Sequence, residues 1–270
     1  MLPLHRRNHN LRVGLPLTVF LTALALLGAV WTPYGPNTQN AADRLRPPSL
    51  AHLLGTDNFG RDIFSRVLAG AGNTLFIAAA VVLIGAAAGA VVGALTGYFG
   101  GWLDEALMRL GDTILAFPSL LLALVLISLL GPGKYNIILS LGILFIPSFA
   151  RITRGEFARC KNLDYVQSAR LMGASHQRVM LAHILPNMGY TLLSAVVIGF
   201  NNAVLAEASM SYLGLGVQPP EASLGRMLSE SQAYLFSAPW YALSAGSMTV
   251  LLILGFSMLG EGIGQLTVDS

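Results

Sequence analysis

Apolar and charged positions fall along this chain in long blocks rather than in a short period. No Asp, Glu, Lys or Arg lies between Arg12 and Asp43, nor between Arg66 and Asp104. Both gaps hold apolar runs long enough to cross a hydrocarbon core of roughly 30 Å. Further runs follow, and the pattern predicts spans over 13–32, 74–98, 113–131, 136–150, 188–206 and 238–259. The expected fold class is an all-α integral membrane protein with about six transmembrane helices.

Composition agrees with this pattern. Of the 270 residues 54% are hydrophobic and 11% charged, against about 25% charged in an ordinary soluble domain. A soluble chain of this length could also bury a large core, so the spacing of the charges decides the class. The net charge of +3 does not indicate nucleic acid, because the basic residues are scattered between apolar runs and not gathered on a polar face.

The basic residues also carry an orientation. With six spans and a cytoplasmic N-terminus, Arg6, Arg7, Arg12, Arg109, Arg151, Arg154, Arg159, Lys161, Arg170 and Arg178 fall inside, ten of the sixteen. Arg44, Arg46, Arg61, Arg66, Lys134 and Arg226 fall outside. Both termini are thus expected in the cytoplasm. Arg6-Arg7 followed by Val13 to Trp31 could alternatively be a cleaved signal peptide. That run is longer than a signal core of about 7 to 15 residues and no Ala-x-Ala site follows, so it reads as an anchor helix.

Residues 1–32 then form a cytoplasmic N-terminus and first helix, and 33–72 an extracytoplasmic loop. The loop is broken by Thr32-Pro33-Tyr34-Gly35-Pro36 and Pro47-Pro48. Within it Ile63, Phe64, Val67 and Leu68 recur at helical spacing, which suggests a short amphipathic helix at the interface or, equally, a solvated turn. Residues 73–262 form the core and 263–270 a tail. Gly85, Gly89, Gly93 and Gly97 lie on one helical face, where a neighbouring backbone can come close. Pro118 and Pro147 should kink the third and fourth spans.

The polar stretch from Arg151 to Asn187 is too long for a simple connection. Asp164 can cap a helix through Gln167, Ser168, Ala169 and Met172; Gly173 interrupts it; Ser175 can cap a second helix running to Pro186. In Gln167-Ser168-Ala169, three residues, Gly173-Ala174, then His183-Ile184-Leu185-Pro186, the loop resembles the Glu-Ala-Ala-x3-Gly motif of binding-protein-dependent ABC importer permeases. Gln167 stands for the usual Glu, Ser168 for an Ala and His183 for an Ile. The His-Ile-Leu-Pro-Asn form is similar to the peptide and nickel branch of that family.

Two more blocks carry the same resemblance: Leu54-Gly55-Thr56-Asp57 with Gly60-Arg61-Asp62 and Ser65-Arg66, and Glu207 through Pro220. The end from Gly260-Glu261-Gly262-Ile263-Gly264 onward is shorter than in the family and lacks its Asp-Pro-Arg close.

The resemblance implies a type I importer permease in a prokaryotic inner membrane. It implies two ATPase subunits, a second permease of similar fold and an extracytoplasmic solute-binding protein as partners. Residues 164–186 would transmit ATPase closure to the helices. Small Ser168 and Ala169 would allow close docking, and Pro186 would stiffen the junction with the fifth span.

This chain has no Gly-x4-Gly-Lys-Ser/Thr loop, since Gly133-Lys134 is followed by Tyr135, so ATP and Mg are expected on the partners. No catalytic group, cofactor or metal site is expected. Cys160 is the single cysteine, His176 and His183 stand seven apart, and neither a Gly-x-Ser-x-Gly nor a His-Glu-x-x-His pattern occurs.

Di- or oligopeptide is the leading cargo, with nickel or a metal chelate as the alternative. Asn201, Asn202 and Glu207 are candidates for the translocation path, because a carboxylate near membrane depth is costly. Interface placement of Glu207, or helix-helix bonds of the asparagines, would account for them equally well. An ion-coupled secondary transporter is the remote alternative, and it would want paired carboxylates inside the spans.

Overall fold

The computed structural model describes residues 9–268, with side chains to 265. His5, Arg6 and Arg7 and the last two residues of the tail lie outside the described residues. Ten α-helices follow in order: α1 (His9–Val30), α2 (Ile63–Phe99), α3 (Gly101–Ala116), α4 (Ser119–Leu130), α5 (Lys134–Cys160), α6 (Asp164–Leu171), α7 (His176–Arg178), α8 (Gly189–Tyr212), α9 (Leu224–Ser231) and α10 (Pro239–Val268). Among the described residues there is no sheet, only the isolated bridge Thr56–Asp62. Five helical stretches are long and apolar enough to cross a membrane, and α3 with α4 makes a sixth, bent by 95°.

Close approach of backbones sets the packing, because in lipid there is little hydrophobic drive between helices. The glycine face of α2 lies against α5 as expected. A Cβ on Gly89 would stand 2.6 Å from Phe149 Cβ, one on Gly93 2.4 Å from the Ala150 carbonyl, and one on Gly97 2.5 Å from the Arg154 carbonyl. Helix α1 buries a single stripe, Gly14, Thr18, Leu21, Ala25 and Gly28. That stripe lies against α10 at Met258 and Leu259 and against α2 at Leu68.

Three expectations are corrected. The short interface helix in the 33–72 loop is instead the opening of α2, with Ile63, Val67 and Leu68 buried. The Asp62 carboxylate caps it by accepting from Ser65 N at 2.8 Å. Gly70 and Gly72 do not stop the helix because they serve close contacts with Ser223 and with the Ala25 carbonyl. Pro118 does more than kink its span: the helix ends at Ala116 and restarts at Ser119 after the sharp turn. The fourth span is not short, since α5 continues past 150 to Cys160 on polar residues that face α3. Arg154 forms a two-pronged pair with Asp104, its Nη2 at 2.7 Å, and Arg151 pairs with Asp112 at 2.5 Å.

The bundle has two polar ends. One gathers residues 31–62, the 131–133 turn and 213–238; the other gathers the α2–α3 corner and residues 161–188. Asn10 donates to Glu261 at 2.9 Å, so both ends of the described chain lie together near the second. Of the described basic residues, eight lie toward this second end and six at the first, sorted as the charge pattern predicts.

Candidate functional site

At the second end the expected helix–bend–helix is present. Helix α6 is followed by Gly173 at φ +87°, a left-handed turn that favours glycine, and a Cβ there would meet nothing within 4 Å. Ser175 caps the next helix, its Oγ accepting from Arg178 N at 3.3 Å. Asp164 does not cap α6. Leu163 holds the cap position without a side-chain bond, and Asp164 is the first helical residue, where its charge complements the positive helix end.

From Val179 to Ile184 the helix widens into a π turn, then tightens to a 3-10 turn over Leu185–Met188 before α8. Pro186 gives a physical reason, since it has no N–H for the carbonyl four residues back and its ring crowds that carbonyl. His183 and Leu185 are half-buried and Pro186 exposed. The 176–212 stretch reads as one long apolar helix through this change of pitch.

A small second core holds the bend. Val166 of α6 is buried with Val179, Ile184 and Met188 against Tyr98, Phe157 and Cys160 at the ends of α2 and α5, and Ala169, one turn on from Val166, is buried as well. Ala169 is therefore not a docking surface; it faces inward, and Ala174 N donates back to its carbonyl at 3.0 Å. The outward face carries Asp164, Gln167 and Ser168, and the tip presents Leu171 at 89% and Met172 at 82% exposure. Two adjacent bare apolar side chains at a bend make a candidate contact surface. Sequence reasoning missed them, although their position directly before Gly173 was the available signal.

Between the α3–α4 break, α5 and α8 lies an open cleft of about 710 Å³. Its walls are mainly apolar, with Phe117, Leu144 and Phe149 prominent, and its polar groups are the neutral side chains Ser119, Ser148, Asn202 and Ser209. Of the three path candidates only Asn202 lines this cleft. Asn201 is half-buried, its Oδ1 without a partner. Glu207 is fully buried and accepts from the Thr74 hydroxyl at 2.8 Å and the Ser211 hydroxyl at 2.6 Å. Ser211 Oγ in turn accepts from Val217 N at 3.1 Å, so the Glu207 block folds the chain back between α8 and α9.

The Leu54–Arg66 block builds a second polar knot at the opposite end. Gly55 and Gly60 take φ of +75° and +71°, and Asp57 accepts from Phe59 N and Arg61 N. Arg61 Nε donates to Asp57 at 2.6 Å, and Arg61 Nη2 and Arg66 Nη2 reach Glu230 Oε2 at 3.0 and 3.4 Å. The Tyr241 hydroxyl donates to the same oxygen at 2.9 Å, and Arg226 Nε to Oε1 at 3.1 Å. Burial works against charge on Glu230, yet Arg66 and Arg61, with the bonds from Arg226 and Tyr241, hold its carboxyl below the usual carboxylate range. Among the described residues no group of three or more His, Cys, Asp or Glu is arranged to hold a metal.

Residues 89–265 match the family described as binding-protein-dependent transport system inner membrane component. The chain is 36% identical to the dipeptide transport system permease protein DppC of Haemophilus influenzae, over 96% of this chain and 90% of that one. It is 34% identical to the protein of the same name from Alkalihalophilus pseudofirmus, covering 96% and 85%. It is 37% identical to the glutathione transport system permease protein GsiD of Pectobacterium atrosepticum, covering 91% and 82%.

Proposed function

We infer the function from one premise: the chain belongs to the family of binding-protein-dependent transport system inner membrane components. It is a multi-pass membrane protein of that family. Its task is to pass small peptides inward as one permease subunit of an importer driven by ATP. The relatives named above carry dipeptide or glutathione in their names, which favours a peptide over nickel or a metal chelate.

The observation that carries the mechanism is continuity. The bend at Gly173 leads through the π turn into α8, and α8 supplies Ile198, Gly199 and Asn202 to the cleft wall. Two ATPase subunits close on the outward face of residues 164–186, with Leu171 and Met172 at the contact, and their stroke displaces a wall of the cleft. ATP and Mg sit on those subunits, and this chain performs no chemistry of its own. A second permease completes the pathway, and a solute-binding protein delivers cargo at the Arg61–Glu230 end. The end with residues 161–188 faces the cytoplasm of a prokaryotic cell, with both termini, in keeping with the sorted basic residues. The neutral polar groups of the cleft suit a peptide backbone, whose amides need partners whatever its side chains carry.

Purification of the tagged chain in mild detergent, with ATPase assays on peptides and nickel chelates, tests this. Co-purification of a second permease and an ATP-hydrolysing chain, stimulated by peptide, is expected. A chain that stays alone and transports without ATP defeats the reading. Gly173→Val should assemble but hydrolyse ATP without uptake, because a β-branched residue resists the left-handed turn. Gly173→Asn should be milder, since Asn tolerates that region. Full uptake by Gly173→Val would remove the lever.

A further inference from the structure

The bend is covalently joined to α5 and α8, but polar contacts also tie it to a third helix, α2. The last turn of α2 offers the Gly97 carbonyl, and Lys161 Nζ donates to it at 2.9 Å. The next residue, Tyr98, is buried, and its hydroxyl lies 2.9 Å from His176 Nδ1, on the far side of the Gly173 turn. The Arg170 guanidinium stands 5.1 Å over the same ring, from the near side of the turn. Phe99 and Tyr98 flank the His176 ring at 5.8 and 5.6 Å. One side chain of α2 thus touches both arms of the bend, and a lysine at the foot of α5 clasps the carbonyl beside it.

We propose that Tyr98 is the positioning residue through which the bend drives α2, with the Tyr98–His176 hydrogen bond as its link, so that α2 and α5 move as one body. The glycine ladder supports the second half of this statement. With Gly89, Gly93 and Gly97 seated on the α5 backbone, the two helices have no room to slide past each other by less than a full turn. A push on the bend that reached only α5 and α8 would have to break the Lys161, His176 and Arg170 contacts; a push shared through Tyr98 keeps them. The inference rests on the lever reading given above.

The test compares peptide imported per ATP hydrolysed in the assembled transporter in proteoliposomes. Tyr98→Phe keeps the ring, its packing and the Arg170 contact and removes only the hydroxyl. Import per ATP should fall about three- to tenfold, the factor one neutral hydrogen bond is worth, while peptide-stimulated ATPase persists. His176→Asn retains a short polar group near the position of Nδ1, able to accept or donate, and should recover most of the coupling; His176→Leu should not. Unchanged import per ATP in Tyr98→Phe overturns the proposal, and so does equal loss in His176→Asn and His176→Leu, which would indicate packing alone. If Gly173→Val uncouples while Tyr98→Phe does not, the link fails and the lever stands; if neither uncouples, the lever itself fails.

Discussion

Replacing Glu230 by Gln leaves the shape of the buried ionic knot intact and removes one negative charge. Asp57, Arg61 and Arg66 are all buried, and with Glu230 and the half-buried Arg226 they form a knot of two acids and three bases. In Glu230→Gln, Arg61 keeps Asp57 at 2.6 Å, but Arg66 keeps a longer approach to Asp57 at 3.6 Å and two neutral oxygens, the Pro36 carbonyl at 3.2 Å and Asn37 Oδ1 at 3.4 Å. Breaking a buried pair in this way costs about 3 to 5 kcal/mol, chiefly as an uncompensated buried charge. At about 2 to 4 °C per kcal/mol for a chain of this size, the midpoint of thermal unfolding should drop by roughly 6 to 20 °C. The assay is a thermal unfolding curve of the detergent-solubilised complex, followed by tryptophan emission. The second arm adds Arg66→Met, which restores the net charge of the wild-type knot and leaves the Arg61–Asp57 pair; the double variant should regain most of the lost stability. A drop under about 2 °C in the single variant, or a double variant worse than the single, would refute the charge-balance reasoning.

Other outcomes follow from the same geometry. The Glu230 carboxyl is held below its ordinary value of 4.5, so its stabilising contribution is full above that value and is lost as pH falls through the depressed one. Unfolding midpoints measured downward from pH 6 should therefore fall in the acid range for the wild type and stay flatter for Glu230→Gln. Gly93→Ala places a methyl 2.4 Å from the Ala150 carbonyl and should destabilise by about 1 to 3 kcal/mol, whereas Gly155→Ala, with nothing within 4 Å, should be neutral or stabilising in the same melt. Met172→Asp, at an exposed tip, should shift the melt of the isolated chain by less than about 0.5 kcal/mol yet lose the ATPase subunits on co-purification. Asn202→Leu should lower peptide uptake while leaving the complex assembled, checked by transport into proteoliposomes beside size-exclusion profiles.

The spans were legible because lipid forbids charge, so the gaps from Arg12 to Asp43 and from Arg66 to Asp104 mark them without knowledge of any neighbour. The glycine ladder and the Gly173 bend were legible because each is a local demand on one backbone. What resisted reading depends on distant partners. Nothing near Arg66 announces that a residue at the opening of a helix will be buried, because Glu230 is 164 positions away. Glu207 is held by Ser211 four positions on, but its other hydroxyl donor, Thr74, lies 133 positions upstream and could not be read locally. Pro118 signals an interruption, but the size of the turn follows from the Asp104–Arg154 and Asp112–Arg151 pairs holding α3 along α5. Ala169, small and within the motif, suggested a docking face, and only the burial of Val166 beside it shows which way α6 is turned.

The knot between the Leu54–Arg66 block and α9 also has a history within each molecule's synthesis. Arg61 is made 169 residues before Glu230, on the order of 10 to 30 s earlier at ordinary elongation rates. Through that interval the early helices stand in the membrane with two arginines and an aspartate lacking their balance. The knot closes only when Glu230 and Tyr241 arrive, so a closed knot certifies that the chain has been inserted as far as α10. A product that terminates before α9 can never close it, and it leaves without Glu230 the two arginines that the finished permease buries.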